Sequence, residues 1–191
     1  NRIILKIEQW GIYNYSSNAV FNNSEVNVAN SGQIVFPSNG TYTPAAPIYA
    51  SAGGQLLVDD NATLNLSSGT VNLLPGSRVT LSESATLNSG GFTFPSSTTL
   101  QVADKSNISG NLSFSAGSSF KTGWQSEVLI KSGSAVKMDQ TNLYVNYGST
   151  LVIEYGANLT LYGPMRVIMC PGSKIINRGT FSTSPDVIFT T

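Results

Sequence analysis

The octapeptide YGSTLVIE (147–154) is followed at once by YGANLTLY (155–162). Extending this echo in both directions gives apolar residues in pairs two apart, the mark of one strand face. The pairs begin at Leu112, Phe120, Val128, Val136, Leu143, Leu151, Leu159, Val167 and Ile175, a step of eight residues that is once seven. Upstream the rhythm runs through Leu64, Val71, Val79, Leu87, Phe92, Leu100 and Ile108, slipping after Leu87 and after Ile108. Two residues before each first apolar position the side chain is small. Between Ala62 and Asp186, sixteen of eighteen such positions are Gly, Ala, Ser or Thr. The unit is therefore small-x-apolar-x-apolar followed by a short turn. All three marked positions share a strand face, which suits a tight corner leading into a packed side.

Charge placement tests this frame independently. Fourteen charged residues lie between Arg78 and Asp186, and none occupies a large apolar position. Burying a lone charge costs several kcal/mol, so a correct frame requires such avoidance. The core is accordingly expected at Leu64, Val71, Val79, Leu100, Phe120, Val128, Val136, Leu143, Leu151, Leu159, Val167 and Ile175.

Short strands at fixed spacing suit a sandwich, a barrel or a solenoid. Between residues 54 and 191 neither of the hairpin dipeptides Asn-Gly and Asp-Gly occurs, and the corners look alike. An octad with one extended stretch and one turn is one side of a coil, and stacked coils make an all-β parallel solenoid. Three sides per coil, about 24 residues, would stack Lys131, Glu154 and Arg178 as an alternating charge ladder. Two sides would stack Lys131, Asn146 and Tyr162 with no such logic. The three-sided coil is the expectation, with six coils and a body roughly 30 Å long at strand spacing.

The segments PGSRVTLSESATL (75–87), YGSTLVIEYGANLTLYG (147–163) and PGSKIINRGTF (171–181) resemble the parallel β-helix repeats of microbial cell-surface proteins and adhesins. The resemblance covers about two thirds of the chain. It implies extracellular stalks, fibres, adhesins or glycan-active enzymes, without choosing among them.

Residues 1–53 depart from the rhythm and read as an N-terminal strand plus an irregular cap or connector, with 54–191 as the solenoid body. A longer strand is expected over 2–10. FPSNGTYTPAAPIYASAGG (36–54) carries Pro37, Pro44 and Pro47 and reads as irregular. The strand DVIFTT (186–191) ends the sequence, so its coil would be a template for another. Ile3, Leu5, Ile7, Val187 and Phe189 are the candidate subunit contacts, with the strand at 2–10 donated to a neighbouring copy. Head-to-tail contacts of this kind build a filament. A longer chain of further repeats is the rival reading.

Composition narrows the function. Only 10% of residues are charged, against about a quarter in typical soluble domains, and ten basic residues balance ten acidic ones. The basic patch that nucleic acid needs is missing, as is an apolar run long enough to span a membrane. With no histidine, the usual general base and metal ligand are lacking. Cys170 is the single cysteine, so no intrachain disulfide forms. Asp59 and Asp60 are the only adjacent carboxylates. With Asp104 they are the candidates for polysaccharide cleavage, but no convergent pair is evident. No cofactor, metal or catalytic residue is expected. Tyr144, Tyr147, Tyr155, Tyr162 and Trp124 lie outside the core frame, with Tyr147 and Tyr155 on different corners. A regular Thr-x-Thr array of the kind that binds ice is not seen. Sequons stand at Asn14, Asn22, Asn39, Asn61, Asn65, Asn107, Asn111 and Asn158, the candidate N-glycosylation sites.

The expectation is an extracellular, cell-surface structural protein: a filament subunit or a segment of an adhesin stalk. Its partners would be copies of itself, further repeats of its own chain, or surface glycans. The alternative is a glycan-binding or polysaccharide-cleaving β-helix.

Overall fold

The computed structural model describes residues 3–8, 10–16, 24–67 and 69–191. Every described pairing between strands is parallel, and the described elements are all strands and turns. The chain winds as a three-sided solenoid of about eight turns.

The first face carries nine strands. They are Ile12–Asn14, Gln33–Phe36, Gln55–Val58, Arg78–Leu81, Thr99–Val102, Ser119–Thr122, Asn142–Val145, Met165–Met169 and Val187–Thr190. The second face carries Thr41–Tyr42, Thr63–Leu66, Glu127–Ile130, Thr150–Ile153 and Lys174–Asn177. It also takes the leading halves of two nine-residue strands, Thr86–Phe94 and Ser106–Phe114. The third face takes the trailing halves of those strands. Ile3–Ile7, Ser24–Val28, Ile48–Ala50 and Val71–Leu73 lie below them, and Ala135–Asp139, Asn158–Tyr162 and Thr180–Thr183 above.

The two long strands account for the slips in the octad rhythm. Each runs round a corner without a separate turn, and the ladder between them shifts at Gly90/Phe92. Gly91, at φ +101°, is the extra residue. Gly110 sits at φ +78°, and a Cβ there would lie 2.1 Å from the Ser89 carbonyl oxygen. The corner is thus too close for any side chain.

The ladder also starts earlier than the sequence rhythm. Gln33–Phe36 pairs residue for residue with Gln55–Val58, and Val26–Val28 with Ile48–Ala50. There is no break in the ladder at residue 53, and the solenoid has more turns than the six counted from the octads. At strand spacing the nine rungs of the first face span about 38 Å. Pro44, Ala46 and Ile48 are buried, so this stretch of 36–54 is packed wall although its prolines read as irregular. The strand Ile3–Ile7 pairs with Ser24–Val28 of its own chain.

One core runs the length of the described coils. Leu64, Val71, Val79, Leu100, Phe120, Val128, Val136, Leu143, Leu151, Leu159 and Val167 are at most 2% exposed. Ile175 is only half-buried, because its strand has a paired neighbour on one side alone. Phe94 and Phe114 stack in successive coils with ring centroids 4.8 Å apart, and Phe120 meets Phe114 edge-on. None of the fourteen charged residues between Arg78 and Asp186 is buried.

Candidate functional site

The corner between the first and second faces carries the most varied chemistry. In seven successive coils of the described residues a residue in the left-handed region sits at its tip: Asn39, Asn61, Ser84, Lys105, Gln125, Gly148 and Gly172, with φ between 49° and 74°. At five of these tips the backbone N–H donates to a carbonyl of the next coil, whereas that of Lys105 donates to Asp104 Oδ1, which also accepts the Glu127 N–H of the coil above. Asn39 donates to Asp60, Asn61 to Glu83, Ser84 to Asp104, Gln125 to Tyr147 and Gly148 to Pro171, at 2.8–3.1 Å. These bonds hold the corners in vertical register. They therefore align the residue just before each tip into one column: Ser38, Asp60, Glu83, Asp104, Trp124, Tyr147 and Pro171.

The lower part of this column is acidic. Ser38 Oγ donates to Asp59 Oδ2 at 2.7 Å. Lys105 Nζ lies 3.3 Å from Glu83 Oε1 and 4.0 Å from Asp104 Oδ2. Asp104 Oδ1 accepts the backbone N–H groups of Lys105 and Glu127 at 2.9 and 2.8 Å. That carboxylate is occupied in holding the corner. The fold brings Asp59, Asp60 and Asp104 to one edge, with Glu83 between them, a convergence the sequence spacing does not reveal. Among the described residues no three His, Cys, Asp or Glu side chains group closely enough to hold a metal ion.

The upper part is aromatic. Trp124 is 79% exposed and Tyr147 52%, and their ring centroids are 6.4 Å apart. Tyr147 and Tyr155 do fall on different corners, but Trp124 shares the corner of Tyr147. Shifting Tyr147 back by one coil length lands on Trp124, a signal the sequence contains. Tyr144 lies on the first face with Lys121 Nζ 5.0 Å from its ring centroid. Tyr155 is 85% exposed and Tyr162 39%.

The corner between the second and third faces carries the charge ladder. Lys131 Nζ donates to Glu154 Oε1 at 2.7 Å, and the Ser132 N–H donates to Glu154 Oε2 at 3.1 Å. The Lys131 hydrogen bond holds the Glu154 carboxyl below the usual glutamate value, aided by the Ser132 N–H and by the charge of Arg178 above it.

The remaining candidates lie apart. Asn14, Asn39, Asn61, Asn111 and Asn158 are exposed. Asn65 and Asn107 are half-buried. Asn65 Nδ2 donates to Thr43 Oγ1 at 2.8 Å and its Oδ1 accepts from Asn88 at 3.0 Å, in a polar row on the second face. Asn22 lies outside the described residues. Ile3 belongs to the first strand of the third face. Ile7 is buried in the core of its own chain, whereas Leu5 and Val187 are partly buried against it. Phe189 is 50% exposed and meets Phe181 edge-on. Cys170 is half-buried, its Sγ 4.0 Å from Asn146 Oδ1.

Neither a family model nor a curated protein matches the chain. A solved structure described as the crystal structure of TibC-catalyzed hyper-glycosylated TibA55-350 fragment aligns over 99% of this chain and 94% of that one. The identity is 12% and the TM-score 0.21, too low for the likeness to bear on fold or function.

Proposed function

We propose that the chain is a rod segment of an extracellular structural protein, a surface filament or the stalk of an adhesin. The observation that carries this reading is the continuous parallel ladder on the first face, nine strands long, over a single unbroken core. Such a body resists bending and pulling because each coil is bonded to the next along its whole face. Its outward positions are largely Ser, Thr, Asn and Gln, with few charges, which suits a surface that is wet but not tightly bound to anything. Glycans at the exposed Asn39, Asn61, Asn111 and Asn158 would protect it further.

Coil stacking is indifferent to whether the neighbouring coil belongs to the same chain or to another copy, so the same contacts serve internal repeats and head-to-tail growth. In this reading the acidic corner is structural and the protein is not an enzyme. Negative-stain electron microscopy of material taken from its native surface tests the proposal. Thin rods are expected, and compact particles would overturn it. Sedimentation over a wide concentration range tests growth, which a constant monomer mass would exclude. Release of reducing ends from polysaccharides, abolished by Asp104→Asn in folded protein, would overturn the non-enzymatic reading.

A further inference from the structure

We propose that Trp124 and Tyr147 form a ledge that binds an extended neutral oligosaccharide, one sugar ring per coil. The inference goes beyond the rod reading and does not depend on it. Other exposed aromatics, Trp10, Tyr155 and Tyr162, stand away from this corner. Here two stand on one corner, in successive coils, with the rings 6.4 Å apart. Their placement is fixed by the backbone, since the Gln125 N–H donates to the Tyr147 carbonyl at 2.9 Å and Gly148 to that of Pro171 at 3.1 Å. Neither ring takes part in the core, so packing does not account for them.

The shape selects the ligand. The ledge is a convex ridge one residue wide. A stable protein partner needs roughly 800 Å² on each side, which a ridge cannot bury. A pyranose needs only a flat ring face for its C–H groups and nearby polar groups for its hydroxyls. The two rings, 6.4 Å apart and tilted 48° to each other, each offer a face to a separate sugar of one extended chain. Gln125, beside both rings, is exposed and offers a donor and an acceptor. The carboxylates of Glu83 and Asp104 continue the same column below. Lys105 offsets one of these two charges, and the net negative edge that is left opposes uronic acids.

The test uses the full chain with Trp10→Phe, so that Trp124 is the sole indole reporter; Trp10 is itself 80% exposed. Indole emission is followed during titration with hexamers of β-1,4-linked glucose, N-acetylglucosamine and xylose, and with oligogalacturonate. A saturable change with at least one neutral hexamer is expected. Tyr147→Ala is expected to weaken that binding at least tenfold with an unchanged circular dichroism spectrum. Calorimetry on Trp124→Ala is expected to show the same loss. No saturable change with any hexamer, or binding untouched by both alanine variants, overturns the proposal. So does a preference for oligogalacturonate. Sedimentation showing that Trp124→Ala dissolves a self-associated species would identify a second copy as the occupant and equally overturn it. The rod test by microscopy reads a different property, so either idea can fail alone.

Discussion

At the scale of the residue, the small positions before each strand do more than fit a narrow space. Among the described residues the fully buried polar side chains are all Ser or Thr, and each is hydrogen-bonded, whereas the buried Oγ atoms of the half-buried Ser173 and Ser184 have no partner. Several close the corner that precedes them: Ser77 donates to the Leu74 carbonyl at 2.7 Å, Thr98 to Pro95 at 2.6 Å and Ser118 to Ser115 at 2.6 Å. The Ser118 N–H donates to the same Ser115 carbonyl at 3.1 Å. Alanine at 118 would keep the backbone bond, as Ala62, Ala85 and Ala157 do. Ser118→Ala is therefore expected to cost about 1 kcal/mol, read as a lower urea midpoint at unchanged slope. Glu154 gives a second residue-level test. Its folded value is depressed, so its contribution is complete above the unfolded glutamate value and is lost as pH falls through the folded one. The Lys131 side chain is 40% exposed, which limits the pair to under about 1 kcal/mol. Glu154→Gln should lower the melting temperature slightly near neutral pH. In acid that difference should close.

At the scale of the element, the alternation of inward and outward side chains is what makes the sequence readable. Leu151 and Ile153 are fully buried, while Thr150 looks outward. Leu151→Lys should prevent folding, because it places an unpaired charge against Val128 and Ile175. Thr150→Lys, one residue away, should leave the circular dichroism spectrum and melting temperature nearly unchanged. Elements that escape the sequence reading do so for local reasons. At Gly90–Gly91 and Gly110 the turn is absorbed into a strand, so the step from Leu87 to Phe92 and from Ile108 to Leu112 shortens. In residues 24–50 the wall is built with Pro44 and Pro47 at a corner, and prolines read as irregular in a single chain even when the backbone stays in register. Val152 faces outward yet is 4% exposed, covered on its two sides by Leu129 and Ile176 in the neighbouring coils. Only stacking, and no pattern within one strand, could reveal that.

At the scale of the whole molecule, every coil meets chiefly the coil below and the coil above, so stability should behave as a sum over neighbours. Glu127 pairs with Thr150, which is one full coil further along the chain. Removing residues 127–149 joins Ser126 to Thr150 and takes out that complete coil. The variant should fold, with a β spectrum and a length shorter by about 4.8 Å in small-angle scattering. Removing only 127–134 takes out a single side and rotates every later strand onto the wrong face. It should give an aggregated or unfolded product. The candidate ledge belongs to this scale too. Trp124 and Tyr147 are far apart along the chain and adjacent only once the coil length is known. The charge ladder at Lys131, Glu154 and Arg178 is legible in the sequence because its alternating signs supply their own check.

The coils are not equal in length. The stretch of chain from Thr99 to its partner Ser119 is shorter than the stretch from Asn142 to its partner Arg166, and the interior does not register the difference. Surplus residues are pushed into the edges, where solvent accommodates them. A lineage carrying this architecture can therefore redraw one edge by insertion, deletion or wholesale exchange without reopening how the inside fits together. Novel recognition can be tried on the rim while the frame stays as it was.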